Sequence, residues 1–248
     1  MRATIGLTIL LALGVAAEAA ELKVLSGNGA RAAVTELGAQ FERATGHKVE
    51  IRFAVNPAVK RKIEAGEPFD VAVLNPPVLD DLIKQGRIVA DTRAVIGRSG
   101  IGVAARADAP KPDISSIVAF KRTLLNANSV AYPGEGASGK YFVGLVDRLG
   151  IAPEMKPKMR PMPAEFNVEG VARGEFELVV VVASRISGVS GVELVGLIPQ
   201  ELQTWIGFTA GVSSGAREPK VAREMIRFFT APAAAPVLRG MGIEPFVE

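Results

Sequence analysis

Residues 22–45 read LKVLSGNGARAAVTELGAQFERAT and decide the fold, because a short apolar strand pattern, a small polar turn and an amphipathic helix pattern follow one another there. The same strand–turn–helix unit recurs twice, within residues 49–65 and 70–85. Strands that alternate with helices over short connections predict an α/β fold with a parallel sheet covered by helices. Ligands of such sheets gather at the carboxyl ends of the strands, so the three turns are expected along one rim.

The rest of the chain predicts a second lobe inserted into the first. After a strand at 101–105, a polar, proline-containing stretch leads to another strand–turn–helix unit over 129–149 and then to a strongly apolar strand at 178–182. A last strand and two helices, within 208–239, return to the first lobe. We therefore predict that residues 21–100 and 205–248 form lobe 1 and residues 101–204 form lobe 2.

The first 20 residues predict a signal peptide and therefore a periplasmic protein. They contain one basic residue, Arg2, an apolar run, and Ala17-Glu18-Ala19 in the small-x-small pattern of a cleavage site. The sequence has no Cys, so neither disulfides nor a lipid anchor on cysteine is expected. The formal charge is +3, and the basic residues are scattered rather than interleaved with aromatics. This pattern argues against a nucleic-acid surface and is compatible with an anionic ligand.

The sequence contains no specific catalytic, metal or nucleotide motif. Its single histidine, His47, follows a helix-ending glycine, which is typical of a solvated turn residue. Neither a phosphate-binding loop nor a dinucleotide-binding glycine motif occurs at a strand–helix junction. We therefore predict no cofactor, no metal site and no assigned catalytic residue.

Two of the predicted turns are suited to an anion. Both, at 26–29 and 134–139, are small, polar and rich in glycine, and each precedes a predicted helix. The N–H groups that open a helix lack partners within it, and the helix dipole adds positive potential there. Either turn alone could be an ordinary helix cap. One turn falls in each predicted lobe, which favours a shared anion site.

Basic and polar residues near these turns complete the predicted site. Arg98 lies near the crossover between lobes, where it could bind a carboxylate or oxyanion in bidentate fashion or be a solvated loop residue. Lys140 and Tyr141 begin the second-lobe helix, and Arg185 follows Ser184 after the buried strand and could reach the cleft. The predicted ligand-binding residues are Ser26, Gly27, Asn28, Gly29, Asn56, Asn75, Arg98, Ser138, Gly139, Tyr141 and Ser184.

Several stretches resemble the molybdate-binding family of ABC-importer solute receptors. They are Leu22 to Phe41, Arg61 to Gly66 followed by Phe69-Asp70-Val71, and the tail from Phe229 to Pro245. The resemblance covers essentially all of the chain after residue 21. It implies a type II periplasmic-binding fold, in which two α/β lobes joined by a hinge close on an anion in the cleft between them, and delivery of that anion to a membrane permease.

The resemblance departs from the family pattern at the ligand. Molybdate binders usually offer serine hydroxyls in the first two turns, where this chain has Gly29 and Val55-Asn56-Pro57, and a tyrosine near the position of Val182. Arg98 to Val103 and Gly136 to Tyr141 are more similar to a divergent branch that includes an aconitate isomerase. The ligand expected is therefore an organic di- or tricarboxylate, or a molybdate- or tungstate-type oxyanion.

Three functions follow from these observations. The first is a monomeric periplasmic solute-binding protein that delivers a small anion to an ABC permease in the inner membrane. The second is an aconitate isomerase-like enzyme, with Glu135, Lys140 or Tyr141 as the proton shuttle. The third is a scaffold that binds no small ligand.

Overall fold

The computed structural model describes residues 19–163 and 168–246 as an α/β chain. The strands are β1 (Glu21–Gly27), β2 (Lys48–Ala54), β3 (Val71–Leu74), β4 (Ala94–Arg106), β5 (Val130–Pro133), β6 (Met159–Met162), β7 (Leu178–Val182), β8 (Val192–Leu197), β9 (Trp205–Val212) and β10 (Glu244–Pro245). The helices are α1 (Arg31–Thr45), α2 (Asn56–Glu64), α3 (Pro76–Lys84), α4 (Ile117–Asn126), α5 (Ala137–Arg148), α6 (Ala152–Met155), α7 (Glu169–Ala172), α8 (Pro219–Thr230) and α9 (Ala235–Gly240). Among the described residues, no helix has the length and apolar character needed to span a membrane. The predicted signal peptide lies outside the described residues, apart from its last two.

The three predicted strand–turn–helix units are confirmed as β1–α1, β2–α2 and β3–α3. Gly46 ends α1 in the left-handed region (φ 78°), and its N–H donates to the carbonyl of Glu42. Asn-Pro pairs open α2 and α3. Proline suits this position because an N–H in the first helical turn has no acceptor within the helix, so its absence costs nothing, and because the φ angle of proline is helical.

The strands form one curved sheet in the order β2-β1-β3-β9-β4-β7-β5-β6, with β8 and β10 also paired to β4. The strands of the first three units are mutually parallel, as are β5, β6 and β7. The parallel pairing predicted for strands that alternate with helices is found within these two groups, but β9 runs antiparallel to β3 and β4, and β4 runs antiparallel to β7 and β8. Of the antiparallel strands, β4 and β9 lie where the chain passes between the two halves of the sheet.

The crossover runs through β4. Its first part, Ala94 to Gly100, pairs with β9, and its second part, Ile101 to Arg106, pairs with β7 and β8. The Gln203 side chain holds the junction, since its Oε1 accepts from the Ile101 N–H at 2.7 Å and its Nε2 donates to the Ile101 carbonyl at 3.0 Å. The lobe boundaries at 100/101 and 204/205 stay a prediction, and this change of strand partner supports the first of them.

Apolar cores lie on both sides of the crossover. One core packs α1 and α8 against the sheet and contains Phe41 and Phe229, and another packs α4 and α5 against β5 and β7 and contains Phe120 and Phe142. A third lies under α2 and α3. Residues 178–181 of β7 belong alternately to the second and first cores, which explains why this strand is a continuous apolar run.

The sequence patterns do not predict α4, α6, β6, β8 or β10. Ser116 caps α4, with its Oγ accepting from the Ala119 N–H at 3.1 Å, but it ends a polar stretch that was interpreted as a connection. The strand β6 lies within a proline-rich segment, and its Pro161 is tolerated because β6 pairs on one side only.

Candidate functional site

A cleft lies where the carboxyl ends of β1, β2 and β3 face those of β5 and β7. Turns and helix starts from both halves of the chain line it, and β9 forms its floor. The free volume inside is about 40 Å³, room for one or two water molecules. Its lining residues are Asn28, Gly29, Val55, Asn56, Asn75, Pro133, Glu135, Gly136, Ala137, Ser138, Val182, Arg185, Ile206 and Phe208.

Two asparagines at the starts of α2 and α3 brace each other on the first side of the cleft. The Asn75 N–H donates to Asn56 Oδ1 at 2.8 Å, and Asn75 Nδ2 donates to the carbonyl of Gly207 at 2.8 Å. Gly27 allows this arrangement, because a Cβ there would lie 2.8 Å from Asn56 Nδ2. The second and third turns are therefore held at a fixed spacing beside β9.

The first turn is held by contacts from distant parts of the chain. Asn28 is buried, and its Oδ1 accepts from Arg31 Nη2 at 3.1 Å. The Gly29 carbonyl accepts from Ser184 Oγ at 2.7 Å, and a Cβ on Gly29 would lie 2.8 Å from Phe208 Cε1. The position that the family resemblance pairs with a ligand-binding serine is thus closed to a side chain by the ring of Phe208.

The other side of the cleft is the turn between β5 and α5. Gly136 adopts φ 101°, which favours glycine, and α5 begins at the next residue. A Cβ on Gly139 would lie 1.7 Å from the carbonyl oxygen of Pro133, so only glycine allows α5 to sit this close to the end of β5. This close packing directs the first turn of α5, including the buried Ser138, at the cleft.

Arg185 supplies a positive charge inside the cleft. It follows β7 and is partly buried. Burial, followed by the like charge of Arg31, lowers the pKa of Arg185 to about 10, while Glu169 opposes that shift. Arg185 is therefore still a cation at neutral pH, facing several helix starts that also favour an anion.

An ion pair crosses the mouth of the cleft. Arg61 Nη2 on α2 lies 4.0 Å from Glu135 Oε2 in the β5–α5 turn, and both side chains are exposed. Exposed ion pairs contribute little to the free energy of folding. The Arg61–Glu135 pair therefore shows how closely the two sides of the cleft approach, and it does not hold them together.

The structure gathers Asn28, Gly29, Asn56, Asn75 and Ser138 around the cleft. Of the other predicted residues, Ser26 is fully buried behind the first turn, and Gly27 and Gly139 shape the turns without lining the cleft. Ser184 lines a second chamber next to it, with a free volume of about 110 Å³.

Arg98 and Tyr141 lie outside the cleft. The guanidinium of Arg98 stacks 4.3 Å from the ring centroid of Trp205, and its Nε lies 3.3 Å from Glu244 Oε2. Tyr141 packs beside the second core and its hydroxyl donates to the Leu202 carbonyl. Lys140, one of the three candidate proton shuttles, is exposed and does not line the cleft, whereas Glu135 does.

The sequence predicts only that Arg185 could reach the cleft, whereas its neighbours Arg31 and Glu169 become visible only in the structure. The available signal was the position of Arg185 directly after a buried strand, where ligands of α/β sheets gather. No sequence signal places Arg31, on α1, beside a residue more than 150 positions later.

Residues 22–244 match the family model of bacterial extracellular solute-binding proteins. An aconitate isomerase from Pseudomonas sp. is 34% identical over 230 residues, covering 90% of this chain and 87% of that protein. The molybdate-binding protein ModA of Escherichia coli (strain K12) is 25% identical over 234 residues, covering 91% and 90%.

Among solved structures, the periplasmic molybdate-binding protein of Azotobacter vinelandii superposes with a TM-score of 0.76 at 19% identity, covering 91% of this chain and 100% of that one. At this identity the likeness concerns the fold. It confirms the predicted type II periplasmic-binding fold.

Proposed function

Because the chain belongs to the family of bacterial extracellular solute-binding proteins, we propose that its cleft binds a small organic anion carrying carboxylate groups and closes around it. The proposed recipient is an ABC permease in the inner membrane, and the proposed location is the periplasm, reached through cleavage of the signal peptide. The observation that carries the proposal is the partly buried, positively charged Arg185 in a cleft lined by the starts of α2, α3 and α5.

Recognition would combine fixed dipoles with one cation. The helix starts present backbone N–H groups and positive dipole ends from both sides, and a guanidinium can donate two parallel hydrogen bonds to one carboxylate. These donors cost little to organise, because the Asn56–Asn75 pair and the packing of Gly139 hold the turns in place.

Closure would follow from the two-sided contacts. A ligand that touches the turns of β1–β3 and the β5–α5 turn together binds a closed form more tightly than an open one, so it shifts the protein towards closure. A free volume of about 40 Å³ is small for an organic di- or tricarboxylate, so the walls must separate for such a ligand to enter.

The first turn favours a carboxylate over molybdate or tungstate. Gly29 offers no hydroxyl, and Phe208 occupies the space that a serine side chain would need. The polar side chains of the first two turns that line the cleft are Asn28 and Asn56.

An isomerase is the second candidate, favoured by the 34% identity to an aconitate isomerase and by the presence of Glu135 in the cleft. In that reaction a base removes a proton from the methylene carbon of an unsaturated tricarboxylate, and a proton is returned to the vinyl carbon as the double bond moves. No other reactant is consumed. Glu135 would be the residue that carries the proton.

A thermal-shift screen tests the binding proposal. The purified full chain is heated with acetate, succinate, citrate, cis- and trans-aconitate, sulfate, phosphate, molybdate and tungstate. A ligand at 100 times its Kd stabilises by about 2.7 kcal/mol, which corresponds to a rise in Tm of about 5–10 °C for a chain of this size. A shift with carboxylates is expected, a shift with molybdate alone would make the ligand an oxyanion, and no shift with any anion would contradict the proposal.

Chromatography of cis- and trans-aconitate incubated with the protein tests the second candidate. Interconversion above the uncatalysed rate, lost in Glu135→Gln, would support an enzyme. Binding without turnover would support only the solute-binding role.

A further inference from the structure

Two buried serines link the first turn of the cleft to the crossover strand β4. Ser184 Oγ donates to the carbonyl of Gly29 at 2.7 Å, and the Ser184 N–H donates to Ser99 Oγ at 3.1 Å. Ser99 and Ser184 are 1% and 3% exposed, so both side chains are buried. Residues that lie 85 and 155 positions apart in the chain thus form one hydrogen-bonded chain. We call Ser99, Ser184 and Gly29 the serine relay.

The serine relay fixes the first turn at a carbonyl group. Gly29 lines the cleft, and α1 begins two residues later. A trans peptide unit is planar with its C=O and N–H on opposite sides, so a bond that holds the Gly29 carbonyl also sets the direction of the Ala30 N–H. The N–H groups at the start of a helix are the donors available to an anion. Phe208 occupies the space where a Cβ of Gly29 would lie, so the turn is held at two points.

The serine relay also fixes the backbone from which Arg185 extends. The Ser184 N–H is bonded to Ser99, and Arg185 is the next residue. Ser99 lies in the part of β4 that pairs with β9. Gly242, at φ 70°, packs against the same segment, and a Cβ there would lie 3.2 Å from Ser184 Cα. The turn at Gly29 and the backbone at Arg185 are therefore both set relative to β4.

The sequence predicts a ligand contact for Ser184, but the structure gives its hydroxyl another partner. Ser184 does not line the cleft, and its single hydroxyl proton is donated to Gly29. The same proton cannot also be donated to an anion. We therefore propose that Ser184 is a positioning residue, which holds the first turn and the Arg185 backbone in the arrangement that binds an anion. The inference rests on the proposed function and adds to it the residue that organises the site before the ligand arrives.

The test separates ligand affinity from stability. Ser184→Ala removes the hydroxyl, and Ser184→Cys keeps a weaker donor of similar shape. Thr92→Val is the matched control, because the buried Thr92 Oγ1 also donates to a backbone carbonyl, that of Val89 at 2.6 Å, and does not line the cleft. Titration calorimetry of the full chain measures Kd for trans-aconitate and succinate, and thermal unfolding measures Tm.

Ser184→Ala is expected to weaken binding of both probes by roughly 3- to 30-fold, the effect of one lost hydrogen bond that leaves a buried acceptor unpaired. Ser184→Cys should fall between wild type and Ser184→Ala. Thr92→Val should lower Tm as Ser184→Ala does, yet change Kd by less than about twofold. A merely structural role for Ser184 would give both variants the same small change in Kd.

Ser99→Ala tests transmission along the serine relay in the ligand-free protein. Ser99 is bonded to Ser184 and not to the first turn. The amide signals of Gly29 and Ala30 in proton–nitrogen NMR spectra should therefore move in Ser99→Ala because Ser184 passes the change on, and they should stay in place in Thr92→Val. Binding in the double variant of Ser99→Ala and Ser184→Ala should be weakened by less than the product of the two single effects, since both act on one network.

Three outcomes would overturn the inference. They are an unchanged Kd in Ser184→Ala, a loss of affinity in Thr92→Val equal to that in Ser184→Ala, and amide signals of the first turn that do not move in Ser99→Ala. Each leaves the proposed function standing as long as the wild type binds a carboxylate. A wild type that binds no carboxylate removes the proposed function itself, and the spectra of Ser99→Ala then still decide whether the relay positions the turn. If Ser184→Ala fails to fold, Ser184→Cys and Ser99→Ala decide the question.

Discussion

Replacing Gly29 by alanine is expected to destabilise the protein through a clash in the floor of the cleft. The new Cβ would lie 2.8 Å from Phe208 Cε1 and 3.2 Å from Cζ, whereas carbon atoms pack best at about 3.5–4.0 Å. The same Cβ would also lie 3.6 Å from Val182 Cγ1, an ordinary van der Waals contact. Gly29 is not among the glycines with positive φ, so the backbone itself accepts alanine.

The magnitude follows from two opposing terms. Inserting a methyl group into a packed site costs about 1–3 kcal/mol, and replacing glycine lowers the entropy of the unfolded chain, which recovers about 0.4–1 kcal/mol. The net loss in the free energy of unfolding is then about 1–2 kcal/mol, or about 2–8 °C in Tm for a chain of this size.

Urea and thermal unfolding measure this loss. Gly144→Ala is the matched control, because its Cβ would meet only Arg148 Nη1, at 3.7 Å, in the middle of α5, and alanine should stabilise that helix by about 0.5–1 kcal/mol. In a Phe208→Leu background the cost of Gly29→Ala should fall by about 1 kcal/mol. A neutral Gly29→Ala, or strict additivity with Phe208→Leu, would refute the assigned clash.

Three further predictions concern the site and its supports. Gly139→Ala should cost about 3 kcal/mol or more, because the new Cβ would lie 1.7 Å from the Pro133 carbonyl oxygen; an unchanged urea midpoint would contradict this. Asn75→Ala should cost about 1 kcal/mol in thermal unfolding, because the Gly207 carbonyl loses the side-chain donor at 2.8 Å, and a Tm within the error of wild type would show that the bond contributes nothing. Carboxylate affinity should be constant at neutral pH and fall as the pH rises through about 10, because Arg185 must be protonated to bind an anion. Burial and the charge of Arg31 lower the pKa of Arg185 to about 10. Calorimetry of wild type against Arg185→Gln checks this, and an equal decline in both proteins would assign the pH dependence to other groups.

Local sequence patterns determine much of the secondary structure of this protein and the placement of its turns. Strand and helix periodicity predicted the β1–α1, β2–α2 and β3–α3 units and the apolar strand β7, because these depend on hydrogen bonds and side-chain burial within a few residues. The turns after β1, β2 and β3 were predicted to share a rim, and the turn after β5 was predicted to share an anion site with the first of them; the structure brings Asn28, Asn56, Asn75 and Ser138 together around one cleft. The rule that ligands gather at the carboxyl ends of strands was enough for that step.

Only the tertiary structure decided which charged residues reach the cleft. Arg98 and Arg185 both follow or lie on a strand, yet one stacks on Trp205 outside the cleft and the other lines it. Phe208 closes the space beside Gly29, although 179 positions separate them, because the sheet order puts β9 between β3 and β4. Such contacts depend on how strands are ordered and which way they run, and a local pattern of residues carries no information about either.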